Sequence, residues 1–265
     1  MSYQYEEIED KYNIDYLTNL DEIEKLRKKL KITESQIQPA LIEDRYNSIA
    51  IEGNQLKREE VTYLLETGLS IRGTNIRDHL QAKNYASALD ILKQCIMNKE
   101  IEVTPEFIKY VHKMMTEGEL PTKDCGNYRT EPVHIRTTTY IPPMEFDVPD
   151  LMDELCAKFY RPLDGDEIFE RITEFKRNFE RIHPFVDGNG RTGRFLMNLL
   201  FLQNGYGFVT IPPAERDIYF NSIEDNTLNV YLSQKMLESM KQIEEKYHSR
   251  PTEKGDVVYD GKKER

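Results

Sequence analysis

Apolar residues recur at three- and four-residue spacings along most of this chain, which is the spacing of one face of an α-helix. The first such set is Leu20, Ile23, Leu26 and Leu30, within the strongly charged residues 1–38, and it predicts a helical N-terminal extension with a solvated face. The same spacing, with capping and stop signals, predicts further helices at about 57–66, 75–98, 104–117, 150–159, 167–181, 213–223 and 228–247.

Three stretches add to this pattern. Residues 195–202 are apolar almost all round, which predicts a central, buried helix that ends at Asn204-Gly205. Pro39 is expected to open a helix that Gly53 stops after Glu52. Residues 133–141 alternate, are rich in β-branched side chains and precede two prolines, which predicts a short β-hairpin. The expected fold is therefore a mainly α helical bundle with one short β-hairpin.

Composition excludes several classes of partner. The formal net charge is -11, from 47 acidic and 36 basic residues, so neither a nucleic-acid surface nor an anionic membrane is an expected partner. Three scattered cysteines, without a C-x-x-C pair, indicate neither a disulfide framework nor a zinc site. Without a recognisable signal segment or a long apolar run, the expected location is the cytoplasm. Homo-oligomerisation stays open.

The densest chemistry lies in the run His-Pro-Phe-Val-Asp-Gly-Asn-Gly-Arg-Thr-Gly-Arg, which covers residues 183–194. His183 could accept a proton near neutral pH, and Asp187 could hold a hard cation such as Mg²⁺. Arg191 and Arg194, three residues apart, could clamp phosphates. The backbone N–H groups expected to cradle phosphate oxygens at a helix N-terminus are those of Gly188, Asn189 and Gly190. Together these residues indicate phosphoryl or nucleotidyl transfer.

The same run contains a literal G-x-G-x-x-G, the dinucleotide fingerprint, from Gly188 to Gly193. That interpretation needs a strand just before the glycines and a βαβ unit around them. Pro184 is unsuited to a central strand, and the pattern of the upstream residues 167–181 predicts a helix. The chain also lacks the G-x-x-x-x-G-K-[ST] phosphate loop. A plain glycine-rich turn would explain the glycines, but not the histidine, aspartate, asparagine and two arginines that accompany them.

Residues 183–194 resemble the signature of the Fic (Fido) family, H-x-F-x-[DE]-G-N-G-R-x-x-R, at every specified position. The resemblance extends from about Ser48 to Ile223 and implies a Fic-type helical bundle. It implies transfer of AMP from ATP, with Mg²⁺ or Mn²⁺, to a Ser, Thr or Tyr hydroxyl of a target protein, with the chain itself as one candidate target. The family's kinase-like branch replaces the second motif glycine with lysine and lacks the final arginine, whereas this chain keeps Gly190 and Arg194.

The resemblance also implies a domain division and a brake. Residues 39–245 would form the Fic domain, with an inhibitory helix at about 40–53, a core at about 104–223, and a polar tail at 246–265. Ser48-Ile-Ala-Ile-Glu52-Gly53 is similar to the family's inhibitory motif, [ST]-x-x-x-E-[GN]. A glutamate in the last turn of a helix lies at the negative end of the helix dipole and is stabilised by a cationic partner. Pairing with Arg194 would withdraw that arginine from ATP. A surface glutamate followed by a capping glycine is the ordinary alternative.

Two further regions fit the resemblance. The predicted hairpin corresponds to the family's flap, which would hold a target segment by strand addition. The flap residues singled out for target docking are Val133, Ile135, Thr137 and Tyr140. Tyr219 is a candidate for lining the adenine pocket, and a core tyrosine is an equal alternative. Two other functions stay open: removal of AMP using Glu52 and a metal, and a non-catalytic nucleotide-sensing module.

Overall fold

A computed structural model of the chain describes residues 15–97, 101–135, 138, 140–159 and 167–248. In this part of the chain the secondary structure is helical, with 3-10 turns at Glu145–Asp147 and Pro213–Glu215. The α-helices are α1 (Tyr16–Lys29), α2 (Glu34–Ala50), α3 (Arg58–Thr67), α4 (Ile76–Met97), α5 (Pro105–Thr116), α6 (Val148–Ala157), α7 (Ile168–Ile182), α8 (Asn189–Gln203), α9 (Arg216–Glu224) and α10 (Leu228–His248). The mainly α fold is confirmed.

Helix α8 is the centre of the bundle. It packs against α2, α4, α5 and α7, and nearly every one of its side chains is buried, as its all-round apolar sequence predicts. Gly193 allows the close approach to α7, because an added Cβ would lie 2.9 Å from both Lys176 Nζ and Phe179 Cδ1. At the periphery, α1 packs against α10. This arrangement presents the N-terminus of α8 to the loop that carries the signature.

Helix α2 begins earlier than Pro39, which corrects the sequence prediction. Thr33 is the N-cap, and its backbone N–H donates to Gln36 Oε1 at 2.8 Å in a capping box. Pro39 therefore lies inside the helix. Thr33-x-x-Gln36 matches the capping-box pattern, which the prediction of a start at Pro39 does not take into account. The helix ends at Ala50, so that Glu52 lies in the turn that follows it.

The predicted hairpin does not contain a strand in its described residues, 133–135, 138 and 140–143, and Thr137 lies outside them. The segment instead contacts helices. Thr138 Oγ1 donates to Glu224 Oε1 of α9 at 2.8 Å, and the Arg181 guanidinium of α7 lies 5.4 Å from the centre of the Tyr140 ring. Alternating β-branched residues favour extended backbone, but a ladder also needs a pairing strand. In its described residues this segment rests on helices and not on a sheet.

None of the described helices is both long and apolar enough to cross a membrane. Two of the three cysteines, Cys125 and Cys156, are buried free thiols, and the side chain of Cys95 lies outside the described part. Burial raises the pKa of the Cys156 thiol to about 12. Cys156 therefore behaves as a small apolar core residue rather than as a reactive group.

Candidate active site

The N-terminus of α8 is a candidate anion-binding position. The first N–H groups of an α-helix have no partner within the helix, and they lie at the positive end of its dipole. Here they belong to Asn189, Gly190 and Arg191. Gly188 caps the helix with a φ of 79°, and an added Cβ would lie 2.9 Å from Thr116 Cγ2. Both the backbone conformation and the space around it therefore require glycine at this position.

Two buried side chains hold the signature loop in shape. The Asn189 amide accepts from Phe185 N–H at 3.0 Å and donates to Phe185 O at 2.8 Å. His112 of α5 stacks on the Phe185 ring with centroids 3.6 Å apart, accepts from Gly126 N–H, and donates through Nε2 to Asp187 O at 2.9 Å. Burial lowers the pKa of His112 to about 4, so that the ring is neutral. The role of His112 was missed from the sequence, in which an isolated histidine carries no such signal.

His183 ends helix α7 in a left-handed conformation, with a φ of 48°. Its N–H donates to Phe179 O at 3.0 Å, and its Nδ1 donates to Glu180 O at 3.3 Å. In the neutral ring this bond leaves Nε2 as the proton acceptor. Burial lowers the pKa of His183, against the opposing effect of the Glu180 carboxylate. The imidazole is therefore neutral at pH 7 and suited to act as a general base.

The structure brings Ser48 and Glu52 together at Arg194. The buried guanidinium donates through Nη1 to Glu52 Oε1 at 2.7 Å, through Nε to Ser48 Oγ at 2.8 Å, and through Nη2 to Ser48 O at 2.8 Å. The carboxylate lies over the first turn of α8, because a Cβ added to Gly190 would lie only 2.0 Å from Glu52 Oε1. Glu52 thus lies against Gly190 and binds the Arg194 guanidinium from the side on which α8 begins. Gly53, with a φ of 96°, lets the chain turn away immediately afterwards.

Asp187 lies at the open edge of the same loop, with about half of its side chain exposed. Oδ1 accepts from Gly188 N–H at 2.6 Å, and Oδ2 pairs with the Arg77 guanidinium at the start of α4. Burial opposes ionisation, but the Gly188 N–H and the charges of Arg191 and Arg77 lower the pKa of Asp187 overall. The described residues contain no cluster of three or more His, Cys, Asp or Glu able to hold a metal ion. A single ionised carboxylate can hold Mg²⁺ only when phosphates and water supply the other ligands.

The side chain of Arg191 does not join the site, which corrects the prediction of a second phosphate clamp. Its guanidinium makes a bidentate pair with Glu119, with both N–O distances at 2.9 Å, and also donates to Met115 O at 3.2 Å. Both charged side chains are buried. Neighbouring positions on a helix start from one face, but long side chains can diverge to different elements. Arg191 extends to the C-terminal end of α5, whereas Arg194 extends to α2.

An apolar cavity of about 260 Å³ opens between α7, α9 and the flap segment, which is the predicted hairpin at residues 133–141. The residues that line it include Ile135, Thr138, Tyr140, Glu180, Phe220 and Ile223. Tyr219 is not among them, because it is fully buried and packs on Phe220 and Tyr231. The alternative of a core tyrosine is therefore correct, and Phe220 is the aromatic residue of α9 that reaches the cavity. Val133, further along the flap segment, is only half-buried and does not line it.

A helix N-terminus, a neutral histidine, an ionised aspartate and a buried arginine together form a candidate phosphate-binding site, and the part of the chain that the structure describes is a helical scaffold around it. A comparison with known families agrees with this class, since residues 102–201 match the model of the Fic/DOC family. The chain belongs to the Fic/DOC family.

Relatives carry the same family name. Protein adenylyltransferase fic-1 of Caenorhabditis elegans is 31% identical over 182 residues, which are 67% of this chain and 35% of the relative. Protein adenylyltransferase Fic of Drosophila melanogaster is 30% identical over 186 residues, which are 68% of this chain and 36% of the relative. The chain thus matches about a third of the length of these relatives.

Solved structures show the same fold. A Fic domain-containing signaling protein from Bacteroides thetaiotaomicron superposes with a TM-score of 0.74 at 22% identity, covering 89% of this chain and 100% of that chain. Fic-1 from C. elegans superposes with a TM-score of 0.73 at 23% identity, covering 88% of this chain and 73% of that chain.

Proposed function

We propose that this chain is a protein adenylyltransferase, which moves AMP from ATP to a Ser, Thr or Tyr hydroxyl of a target protein. The observation that carries the proposal is the pairing of Glu52 with Arg194 over the first turn of α8, next to a neutral His183. An internal carboxylate in this position indicates what the site is built to bind, namely an anionic phosphate. The names of the C. elegans and Drosophila relatives support the choice of AMP as the transferred group.

The proposed binding mode of ATP follows the two halves of the site. The base enters the apolar cavity beside Phe220, and the phosphates lie along the N-terminus of α8, with the outermost phosphate on Arg194. Asp187 is the residue that would hold Mg²⁺ or Mn²⁺, which would supply neutralisation of the phosphate charge. The N–H groups of residues 189–191 would stabilise the charge that develops on the α-phosphate.

The proposed chemistry is one in-line displacement. Nε2 of His183 accepts the proton of the target hydroxyl, and the hydroxyl oxygen forms a bond to the α-phosphorus of ATP. The bond from that phosphorus to the bridging oxygen breaks, and pyrophosphate leaves with the electron pair. The Nδ1–H bond to Glu180 O holds the ring in the tautomer that this step requires.

The brake is part of the proposal. A phosphate on Arg194 and the carboxylate of Glu52 compete for the same N–H donors, so that ATP is held badly while the pair is intact. Ser48 orients the guanidinium through two further bonds. The proposed Fic domain, predicted as residues 39–245, keeps the brake and the catalytic core in one packing unit, which the contacts of α2 with α4 and α8 support, and its start moves to Glu34, where α2 begins.

A second candidate is removal of AMP from a modified protein. The observation that favours it is the position of the Glu52 carboxylate. It pairs with Arg194, and its negative charge opposes the lowering of the His183 pKa by burial. A carboxylate in that position could orient a water molecule towards an AMP phosphate. The proposed targets of both reactions are proteins with exposed hydroxyl groups, including a second copy of this chain.

Labelled ATP tests the proposal. The chain and its Glu52→Gly and His183→Ala variants are incubated with Mg²⁺ and ATP that carries the label in the α- or the γ-phosphate. The expected result is self-labelling from the α-label only, strongest in Glu52→Gly and lost in His183→Ala. Transfer of the γ-label would make the protein a kinase and contradict the proposal, as would binding of ATP by Glu52→Gly without any transfer.

A further inference from the structure

Arg129 joins two parts of the site that the sequence keeps apart. The residue is 3% exposed, and all the acceptors of its guanidinium among the described residues are main-chain carbonyls. The acceptors are the carbonyl oxygens of Glu131, Pro143, Ile182 and His183. An arginine fork with fixed geometry is suited to holding several acceptors at once.

The first two acceptors flank the flap segment. Arg129 donates to Glu131 O through Nη1 at 3.3 Å and to Pro143 O through Nη2 at 2.5 Å. One guanidinium therefore sets the separation of the two ends of the segment that contains Ile135 and Tyr140, which line the apolar cavity. The segment has no strand ladder in its described residues, so these bonds hold it in place of a sheet.

The other two acceptors are at the end of α7. Arg129 donates through Nε to His183 O at 2.9 Å and through Nη2 to Ile182 O at 3.4 Å, while its backbone N–H donates to Pro184 O at 2.9 Å. The last carbonyls of a helix lack intrahelical partners, and a cation is favoured at this end of the dipole. His183 occupies the left-handed position at which glycine is usual. A residue held in that region persists only where its surroundings determine it.

We propose that Arg129 is a positioning residue, which fixes the backbone of the general base His183 and the ends of the flap segment as one unit. The inference rests on the proposed function, because it assumes that His183 takes the proton and that the flap segment receives the target. Arg129 would thereby fix the position of the docked hydroxyl relative to the imidazole of His183. Arg129 itself touches neither ATP nor the target.

The charges around His183 provide a readout specific to this role. The groups that act on the imidazole are the Glu180 carboxylate, which is paired with Lys176 within α7, the Glu52 carboxylate after α2, and Arg129 from the loop after α5. The two carboxylates raise the pKa of His183, whereas Arg129 lowers it. Removing the charge of Arg129 should therefore raise the pKa of His183 and move the acidic limb of the rate profile to higher pH.

The test uses Glu52→Gly as the parent, with Arg129→Lys and Arg129→Gln added separately. Lysine keeps the charge but presents it from a single nitrogen, so it cannot reach both the flap ends and the helix end. AMP transfer is measured to a His183→Ala copy of the chain as acceptor. Arg129→Lys should lower kcat by about 10- to 100-fold and raise the KM for the acceptor, with the Kd for ATP unchanged. Arg171→Lys is the matched control, since Arg171 also donates to a main-chain carbonyl, that of Lys158, but far from the site.

The second readout does not depend on activity. The pKa of His183 is titrated by NMR, with its signal identified by its loss in His183→Ala. Arg129→Gln should raise this pKa, and Arg129→Lys should leave it close to the parent value. An unchanged pKa in Arg129→Gln, unchanged kinetics in Arg129→Lys, or an unfolded Arg129→Lys protein would each overturn the inference. A parent that binds ATP but transfers nothing contradicts the proposed function alone, because the titration still reports on Arg129.

Discussion

Replacing Glu52 by glycine is the sharpest perturbation of this site, because one carboxylate covers both the α8 N-terminus and the Arg194 guanidinium. A hydrogen bond to a charged group contributes about 1.5–3 kcal/mol, and a phosphate must displace this one before it can bind. Because the Glu52 side chain is 31% exposed, water can solvate the displaced carboxylate, and the lower figure applies. At about 1.4 kcal/mol for each factor of ten, Glu52→Gly should bind ATP about tenfold more tightly.

The effect on rate should be larger than the effect on binding. Arg194 keeps its two 2.8 Å bonds to Ser48 in the variant, so that the freed N–H group stays directed at the site. An arginine that contacts the transferring phosphates contributes on the order of 10³-fold or more to the rate. We therefore expect AMP transfer in Glu52→Gly to rise by at least about 100-fold.

Binding is measured by calorimetry with Mg²⁺ and ATP, using a His183→Ala background to prevent turnover, and rate is measured by α-label transfer. Gln55→Gly controls for added chain flexibility, since Gln55 is exposed and follows the same turn. Glu52→Gln should give an intermediate gain, because it removes the charge but keeps the bulk over Gly190. Equal ATP affinity in Glu52→Gly and the unmodified chain would refute the argument that the carboxylate occupies the phosphate position.

Three further predictions concern neighbouring parts of the molecule. Burial raises the pKa of Asp44 to about 6 from an ordinary value of 3.8, so the folded chain keeps this proton longer than the unfolded chain. The free energy of unfolding should therefore fall by about 3 kcal/mol as the pH rises from about 4 to 6, relative to Asp44→Asn. Urea denaturation measures this at each pH. The same pH dependence in the unmodified chain and in Asp44→Asn would contradict the prediction. Arg77→Gln removes the exposed ion pair with Asp187, which frees that carboxylate for a metal ion. Mn²⁺ binding in the presence of ADP, measured by EPR titration, should become about two- to fivefold stronger. Weaker binding would instead mean that Arg77 supports the metal site. Phe220→Ala should weaken ATP binding about tenfold or more, with Tyr219→Phe close to neutral, and the reverse order would place the base elsewhere.

Local signals predicted most of the helices well. Thr104-Pro105 opens α5 and Gly68 ends α3, since caps and stops act within one turn of the chain. Errors arose where two local signals competed or where a partner was distant. At the start of α2 the capping box at Thr33 sets the helix start ahead of Pro39, and the alternating residues of the flap segment have no pairing strand in their described part.

The candidate site divides in the same way. Residues 183–194 and the Ser48–Glu52 segment could be recognised from the sequence because their spacing repeats a known pattern. The directions of individual side chains could not be recognised. Arg191 and Arg194 are chemically identical and three residues apart, yet the carboxylate partner of each, Glu119 for one and Glu52 for the other, decides where its guanidinium lies.

The sequence alone determined the helical class, the central position of α8 and the choice of the candidate phosphate-binding segment, because these depend on periodicity and on contiguous residues. Tertiary structure decided which side chains reach that segment. His112 and Arg129 come from outside the signature, and their roles follow from hydrogen bonds to main-chain atoms more than 50 residues away. No local pattern encodes such a bond, since a main-chain carbonyl has the same chemistry at every position and only packing brings one to a given donor.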